Sequence, residues 1–171
     1  VLTNMKFEVY PADLHPETFK IESLRCSKVD LNGRLPYSDG FFDFVLSVEG
    51  IEHLYDPYNA IREFHRVLKP GGKLVLTTPN VLNITSRLLF LLTGRFYLFL
   101  PEDKYVIGHI TPVPLWLLET MLEDLFTIEK VTFNRGWFPI TTKFGLRLPF
   151  KNLLTGQILI VKARRSQGKD R

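Results

Sequence analysis

Two aspartates stand directly after short candidate strands. Asp13 follows the stretch from Phe7 to Ala12, and Asp30 follows Ser27-Lys28-Val29. Both oxygens of a carboxylate only accept hydrogen bonds, so each aspartate suits a ligand rich in donors. Asp13 could take both hydroxyls of a ribose. Asp30, with apolar Leu31 beside it, could hold the edge and face of an adenine. Asp13 serves as readily as a turn or helix-capping residue, and Asp30 taken alone reads better as a loop aspartate. A third polar group, Ser47-Val48-Glu49, closes the apolar run that begins at Phe42 and leads into Glu52-His53-Leu54. His53, and His109 in Gly108-His109-Ile110, are candidate bases for an acceptor of low acidity such as an alcohol or phenol, with Glu49 a weaker third. A lone loop histidine is structural more often than catalytic. His15 is assigned to a turn, His65 to a helix surface, and no metal site is expected.

The elements around these residues alternate strand with helix. Phe7-Glu8-Val9-Tyr10 reads as a short strand, Pro16 to Leu24 as a short helical stretch, and Ser27-Lys28-Val29 as a weak strand. Phe42 to Val48 is nearly continuous apolar sequence, the pattern of a central parallel strand covered on both faces. Asp56 can cap the next helix, with Pro57 in its first position, where a missing N–H is harmless. Ala60, Ile61, Phe64, Val67 and Leu68 then form one apolar stripe. Lys69 suits the helix C-terminus, Pro70-Gly71-Gly72 stops the helix, and Lys73 to Thr78 is the following strand. Leu115, Leu118, Leu122 and Leu125 mark a second amphipathic helix beginning near Pro114. Ile128 to Phe133 and Gln157 to Ala163 read as two last strands without a helix between them, hence antiparallel. The fold class is therefore α/β: a Rossmann-like, mostly parallel sheet with an antiparallel C-terminal strand pair. Ligands of such sheets bind beyond the carboxyl ends of the strands, where Asp13, Asp30 and Ser47 to Glu49 fall.

Composition narrows the field. The chain has 171 residues with 45% hydrophobic content, ordinary for one domain with a proper core. Its formal charge of +4 comes entirely from the last ten residues, where five cations outnumber Asp170. A short basic end is usually solvated, so nothing argues for a nucleic-acid partner. No apolar run is long enough to span a membrane and no secretory signal is visible. Together with the single cysteine, Cys26, read as a small and partly buried residue, this favours a reducing, cytoplasmic setting. The expected organisation is one domain over 1–165, with a substrate-side insertion at 81–113 and a basic tail at 166–171.

At this point an ordered series becomes specific. Val29-Asp30, Leu35 to Val45, Glu52-His53-Leu54, Arg66-Val67-Leu68-Lys69-Pro70-Gly71-Gly72 and Thr78-Pro79-Asn80 together resemble class I S-adenosylmethionine-dependent methyltransferases, closely over residues 7–80. The likeness is greatest to the broad group of quinone-pathway, small-molecule and sugar enzymes. The resemblance implies S-adenosylmethionine as cofactor. It assigns Asp13 to the ribose, Leu14 to the adenine face, Asp30 to the adenine amino group and Leu31 to backbone and apolar contact. It sets Ser47, Val48 and Glu49 beside the methionine end, and His53 at the rim.

One departure matters equally. The family's first strand and its Gly-x-Gly loop have no counterpart here, since Gly71-Gly72 lies at the wrong end of its strand. That strand belongs mid-sheet, between the strands ending near Asp13 and Val48. Its loss would leave two inner edges unpaired, so the natural chain is expected to be longer and this portion alone inactive.

On the acceptor side, Asn83 to Leu100 forms a candidate cover. Ile84, Leu88, Leu91 and Leu92 make a stripe, Leu89 and Phe90 spill around it, and Gly94 ends the helix before Phe96 to Leu100. It reads as a packed helix, a lid over an apolar acceptor, or a surface for a membrane or partner, with Arg87 and Arg95 suited to anionic head groups. The expected reaction is methyl transfer to a small-molecule or lipid- or carrier-linked acceptor, with oxygen favoured. A non-catalytic binding module acting through 83–100 is the alternative. A nicotinamide-dependent dehydrogenase shares the strand–helix alternation but not the terminal strand pair.

Overall fold

The structure, a computed structural model, describes residues 6–134 and 151–166. Its best-specified element is the helix α1, Pro57–Val67, which begins as the sequence dictates: the Asp56 carboxylate accepts the Asn59 N–H at 2.9 Å and Pro57 opens the first turn. Ala60, Ile61, Phe64 and Val67 are buried along one face. That face lies on the strands β3, Phe42–Val48, and β4, Leu68–Pro79, which pair in parallel, as a right-handed crossover requires.

The helix ends at Val67, three residues earlier than the Pro-Gly-Gly signal suggests, and β4 begins at once. The glycines act inside the strand. Register slips from Phe42↔Leu68 to Phe44↔Lys73 across the segment, and Gly71 sits at φ +75°. A Cβ on Gly72 would come within 2.8 Å of the Lys69 carbonyl oxygen, so the bulge excludes a side chain there. Lys69 pairs with Asp43 at 2.8 Å instead of serving the helix end.

Two further strands complete the sheet in the order β3-β4-β6-β5, with β5 at Phe126–Phe133 and β6 at Ile158–Arg165. Strand β6 is antiparallel to both neighbours, so β3, β4 and β5 share one direction and β6 opposes them. The helix α4, Leu115–Leu122, buries Leu118, Met121 and Leu122 beside α1. Leu74, Leu76, Leu159, Val161 and Ala163 complete the core beneath the two helices. His65 is not a surface residue: it lies half-buried with its ring edge-on to Phe126 at 5.6 Å, and burial lowers its pKa.

The N-terminal part departs from expectation. Pairing involves only Ala12–Asp13 (β1) and Ser27–Lys28 (β2), a parallel two-stranded unit with no ladder to the larger sheet. Phe7 to Tyr10 form no strand, because β2 is too short to offer them partners; the Phe7 and Tyr10 rings rest edge-on against Phe44, Phe41 and Phe42. The stretch Pro16 to Leu24 contains one 3-10 turn, Pro16–Thr18, that buries nothing, since it has no apolar face to set down. Strand β3 is not covered on both faces. Phe44, Leu46 and Val48 are 51%, 55% and 60% exposed, and among the described residues no strand pairs with its outer edge.

After β4 the chain makes the helix α2, Ile84–Thr93, closed by Gly94, then a single helical turn α3, Asp103–Val106, before α4. Asn80 anchors this departure: its side-chain N–H groups donate to the carbonyls of Leu153 and Gly156 at 2.7 and 2.8 Å, and its Oδ1 accepts the Leu82 N–H. No helix among the described residues is long and apolar enough to cross a membrane. The free Cys26 is partly buried.

Candidate cofactor and acceptor site

Asp13 and Asp30 emerge from adjacent strand ends. Strands β1 and β2 pair Asp13 with Lys28, and the Val29 N–H donates to the Asp13 carbonyl at 2.9 Å, so the two loops start side by side. Each carboxylate is preset by its own loop. Asp13 Oδ1 accepts the His15 N–H at 2.8 Å; Asp30 Oδ1 accepts both the backbone and side-chain N–H of Asn32 at 2.8 and 3.0 Å. Both aspartates and Leu14 are exposed at this rim, while Leu31 is half-buried.

Leu31 turns toward the third group. A Cβ placed on Gly50 would lie 3.6 Å from Leu31 Cδ1 and 3.4 Å from Ser47 Oγ, so Leu31, Gly50 and Ser47 meet in one contact. The structure thus brings Asp13, Asp30 and the Ser47–Glu49 turn onto one rim although their strands lie in two sheets. Ser47 is buried and Val48 exposed. Glu49 carries a positive φ of 47°, a conformation that side chains other than glycine rarely adopt. Thr77 holds it there: the Glu49 N–H donates to the Thr77 carbonyl and to Thr77 Oγ1, which in turn donates to Glu49 Oε1 at 2.8 Å. Backbone strain maintained by a dedicated partner is typical of ligand-binding turns.

One turn further on, Glu52 is fully buried. Its Oε2 accepts the Thr78 hydroxyl at 3.0 Å, but among the described residues its Oε1 is the buried side-chain polar atom without a hydrogen-bond partner. Burial first, and the negative charge of Glu49 after it, push the Glu52 carboxyl up to about 7. The backbone of Glu52 also fixes the later loop, its carbonyl accepting the N–H groups of Ile110 and Thr111, both at 3.0 Å. That stitch carries His109 to His53, with ring centroids 4.8 Å apart. His109 Nδ1 meets the Leu98 carbonyl at 3.1 Å, and because a carbonyl only accepts, the proton sits on Nδ1 and the Nε2 lone pair is free. Nε2 lies 4.0 Å from Glu52 Oε1. Burial, then the neighbouring His53, lower the pKa of His109.

Sequence reasoning singled out His53 and His109 separately but gave no sign that they meet. It named Glu52 only as part of the Glu52-His53-Leu54 segment and gave no site role to Thr77 or Thr78, which bond to Glu49 and Glu52. The signal for Glu52 was the Glu-His-Leu segment itself; nothing local announced its burial.

The rim fits the nucleoside end of S-adenosylmethionine: paired exposed carboxylates aimed by their own loops, with an apolar side chain between them and the next turn. No glycine-rich backbone cradle for the methionine end stands among the described residues. A hollow of about 490 Å³ lined by Phe7, Tyr10, Phe42 and Phe44 lies at the opposite end of β3 and belongs to neither part.

Comparison with known proteins bears on the domain as a whole. The model of a methyltransferase domain matches residues 2–76. The norajmaline N-methyltransferase of Rauvolfia serpentina is 30% identical over 121 residues, 64% of this chain and 39% of that protein. The ubiquinone biosynthesis O-methyltransferase of Pseudomonas aeruginosa is 41% identical over 112 residues, 63% of this chain and 45% of that protein. The chain therefore spans less than half the length of these curated relatives. Among solved structures, a SAM-dependent methyltransferase from Archaeoglobus fulgidus superposes with a TM-score of 0.65 at 17% identity, covering 95% of this chain and 78% of the other. The cyclase SpnF shares the fold at a TM-score of 0.51 and 21% identity, covering 85% and 58%, so the fold by itself does not dictate methyl transfer. Residues 2–76 thus match a methyltransferase domain, and the architecture is that of solved S-adenosylmethionine-dependent methyltransferases.

Proposed function

We propose that the protein transfers a methyl group from S-adenosylmethionine to an oxygen of a small-molecule or lipid- or carrier-linked acceptor. The observation that carries this reading is the shared rim of Asp13, Asp30 and the strained Ser47–Glu49 turn, with a histidine pair one turn beyond it. When bound, the cofactor supplies a methyl carbon made electrophilic by its sulfonium. Asp13 and Asp30 hold the nucleoside by accepting from its hydroxyls and amino group. An acceptor hydroxyl placed beside the histidine pair would be aligned with the methyl carbon, and its proton would pass to a ring nitrogen, His109 Nε2 being free to accept it. Much of the rate enhancement comes from alignment along that line, which a rigid turn favours.

The exposed leucines of α2 favour an acceptor carried on a lipid or other apolar anchor, with the protein at the surface of a membrane. The alternative, a binding module that does not catalyse, separates from the enzyme by its affinity for the cofactor product.

Calorimetry with S-adenosylhomocysteine, on the full-length protein, is the test. Asp13→Ala should weaken binding by about 1–3 kcal/mol through loss of charge-assisted hydrogen bonds. Equal affinity in wild type and variant would place the nucleoside elsewhere. No binding in the wild type would favour the non-catalytic module.

A further inference from the structure

We propose that Glu52, His53 and His109 form a binding site for one divalent transition-metal ion of the zinc type. One ligand atom from each of these three side chains lies within 4.8 Å of the others, with Glu52 fully buried and both histidines half-buried. They come from two places in the chain, the turn after β3 and the loop before α4, joined by the backbone bonds from Ile110 and Thr111 to the Glu52 carbonyl. The site is therefore built by tertiary structure and not by a local run of polar residues.

Three features point to an ion. First, Glu52 Oε1 is buried and without a hydrogen-bond partner, and it faces His109 Nε2 from 4.0 Å, too far for a hydrogen bond. A buried acceptor left unpaired is costly, and an ion between the two atoms would satisfy it. Bond lengths of roughly 2.0–2.2 Å in a tetrahedral site set ligand atoms about 3.4 Å apart, so the gap closes with a small shift of two side chains. Second, two of the three ligands already have the outer partners that metal sites use. The His109 Nδ1–H is held by the Leu98 carbonyl, which leaves Nε2 as the donor, and Thr78 holds the other oxygen of Glu52. Third, the approach of His53 depends on a glycine. Gly108 sits at φ +78°, and a Cβ on it would crowd His53 Nδ1 at 3.1 Å.

The donor set chooses the class of ion. Two imidazoles and one carboxylate suit zinc and its transition-metal neighbours, whereas magnesium and calcium take oxygen donors. Three protein ligands leave one position open, the arrangement of a metal that polarises a bound oxygen. Ion binding stands apart from the methyl-transfer reading; its use does rest on that reading. There the ion would polarise the acceptor oxygen, and the proton that the imidazoles, once bound to metal, can no longer accept would pass to solvent.

The test is zinc titration of the chelator-treated full-length protein by calorimetry, with cobalt as a spectroscopic substitute. Expected are one ion per chain, cobalt ligand-field bands of a tetrahedral site, and losses of about 10–100-fold or more in affinity for His109→Ala and for Glu52→Gln. Circular dichroism checks that each variant folds, and the near-isosteric Glu52→Gln keeps the test open if His109→Ala does not. His15→Ala, in the exposed His15–Glu17 pair at 3.1 Å, should leave zinc affinity unchanged. Failure of the wild type to take up zinc, or affinities within about twofold of wild type in both His109→Ala and Glu52→Gln, would overturn the site. Titrating S-adenosylhomocysteine into the same samples keeps the two readings apart. Cofactor-product binding without zinc binding removes only the metal site, and zinc binding without cofactor-product binding removes the methyl-transfer reading and leaves the metal site standing.

Discussion

Helices α1 and α2 are built by the same local rules and put to opposite uses. Each starts with an acidic or amide side chain that accepts a backbone N–H three residues on, from Asp56 to Asn59 and from Asn83 to Ser86, both at 2.9 Å. Each carries an apolar stripe. In α1 the stripe is inside, with Ala60, Ile61, Phe64 and Val67 nearly inaccessible. In α2 the only buried residue is Ser86, whereas Leu91 and Leu92 are 79% and 81% exposed. Periodicity thus identifies a face in need of cover without saying what covers it. For α1 the cover is the β3-β4-β6 sheet; for α2 it is not among the described residues.

The largest expected effect separates the two helices directly. Phe64→Ala should destabilise the fold by about 3–5 kcal/mol, because Phe64 is enclosed by α1 and the sheet and its removal leaves a cavity. The pair Leu91→Ser and Leu92→Ser should change stability by only about 0.5 kcal/mol each, as exposed positions do. Urea unfolding of the three proteins measures both. Comparable losses would mean that the α2 stripe is core after all.

The next largest effect concerns what ties α1 to the loop before β3. Arg66 donates to the carbonyls of Leu35 and Tyr37 at 3.0 and 2.8 Å, to Asp39, and through two N–H groups to Glu63. Its side chain and that of Glu63 are only 17% and 13% exposed. Arg66→Met should lower stability by roughly 2–3 kcal/mol, since a charge and two carbonyls lose their partner together. Arg66 also holds the Glu63 carboxyl below its ordinary value of 4.5. A depressed carboxyl pKa gives stability that is present above that ordinary value and is lost as pH falls through the lower folded value. Wild type should therefore weaken on acidification below about pH 4.5, and Arg66→Met should lose less over the same interval. Parallel curves would show that Glu63 gains nothing from Arg66.

How much of this was readable from sequence follows the same division. Asp56, Pro57 and the stripe through Phe64 specify α1 because every one of those signals acts within four residues of its target. The antiparallel end of the sheet was readable because no helix signal separates Ile128 to Phe133 from Gln157 to Ala163; residues 135–150 lie outside the described part. The apolar run Phe42 to Val48 gave a strand, yet not its exposure, because pattern records what a residue prefers and not which neighbour supplies it. Phe7 to Tyr10 had strand composition but lack a partner in β2. At the candidate site, Asp13, Asp30 and Ser47 to Glu49 were read from their places after strands, and their adjacency was not. Burial of Glu52, the Thr77 and Thr78 hydroxyls that meet it and Glu49, and the junction of His53 with His109 all depend on contacts between residues 26 to 57 positions apart. No local pattern contains them.

The smallest effect sharpens what α2 is for. The sequence pattern drew attention to Phe96 and Phe99, but Phe96 stacks on Phe90 at 4.7 Å and Phe99 leans on His109 at 5.3 Å, so neither is free to enter another phase. The most accessible apolar side chains are Leu91 and Leu92 on α2 and Tyr105 and Val106 on α3, with Leu88 and Phe90 about half exposed, and exposed Arg87 and Arg95 flank them. An apolar face beside cations suits the interface of an anionic bilayer, where leucines leave water and guanidinium groups stay with head groups. Co-sedimentation with vesicles of anionic phospholipid should recover wild-type protein, and Leu91→Ser with Leu92→Ser should weaken partitioning by about 1–2 kcal/mol, roughly tenfold, since each leucine inserts only in part. Neutral vesicles should bind less, by the contribution of Arg87 and Arg95. Equal partitioning of wild type and double variant would leave α2 without a role at a membrane. Its stripe would then need a protein surface, and the case for a lipid-linked acceptor would fall with it.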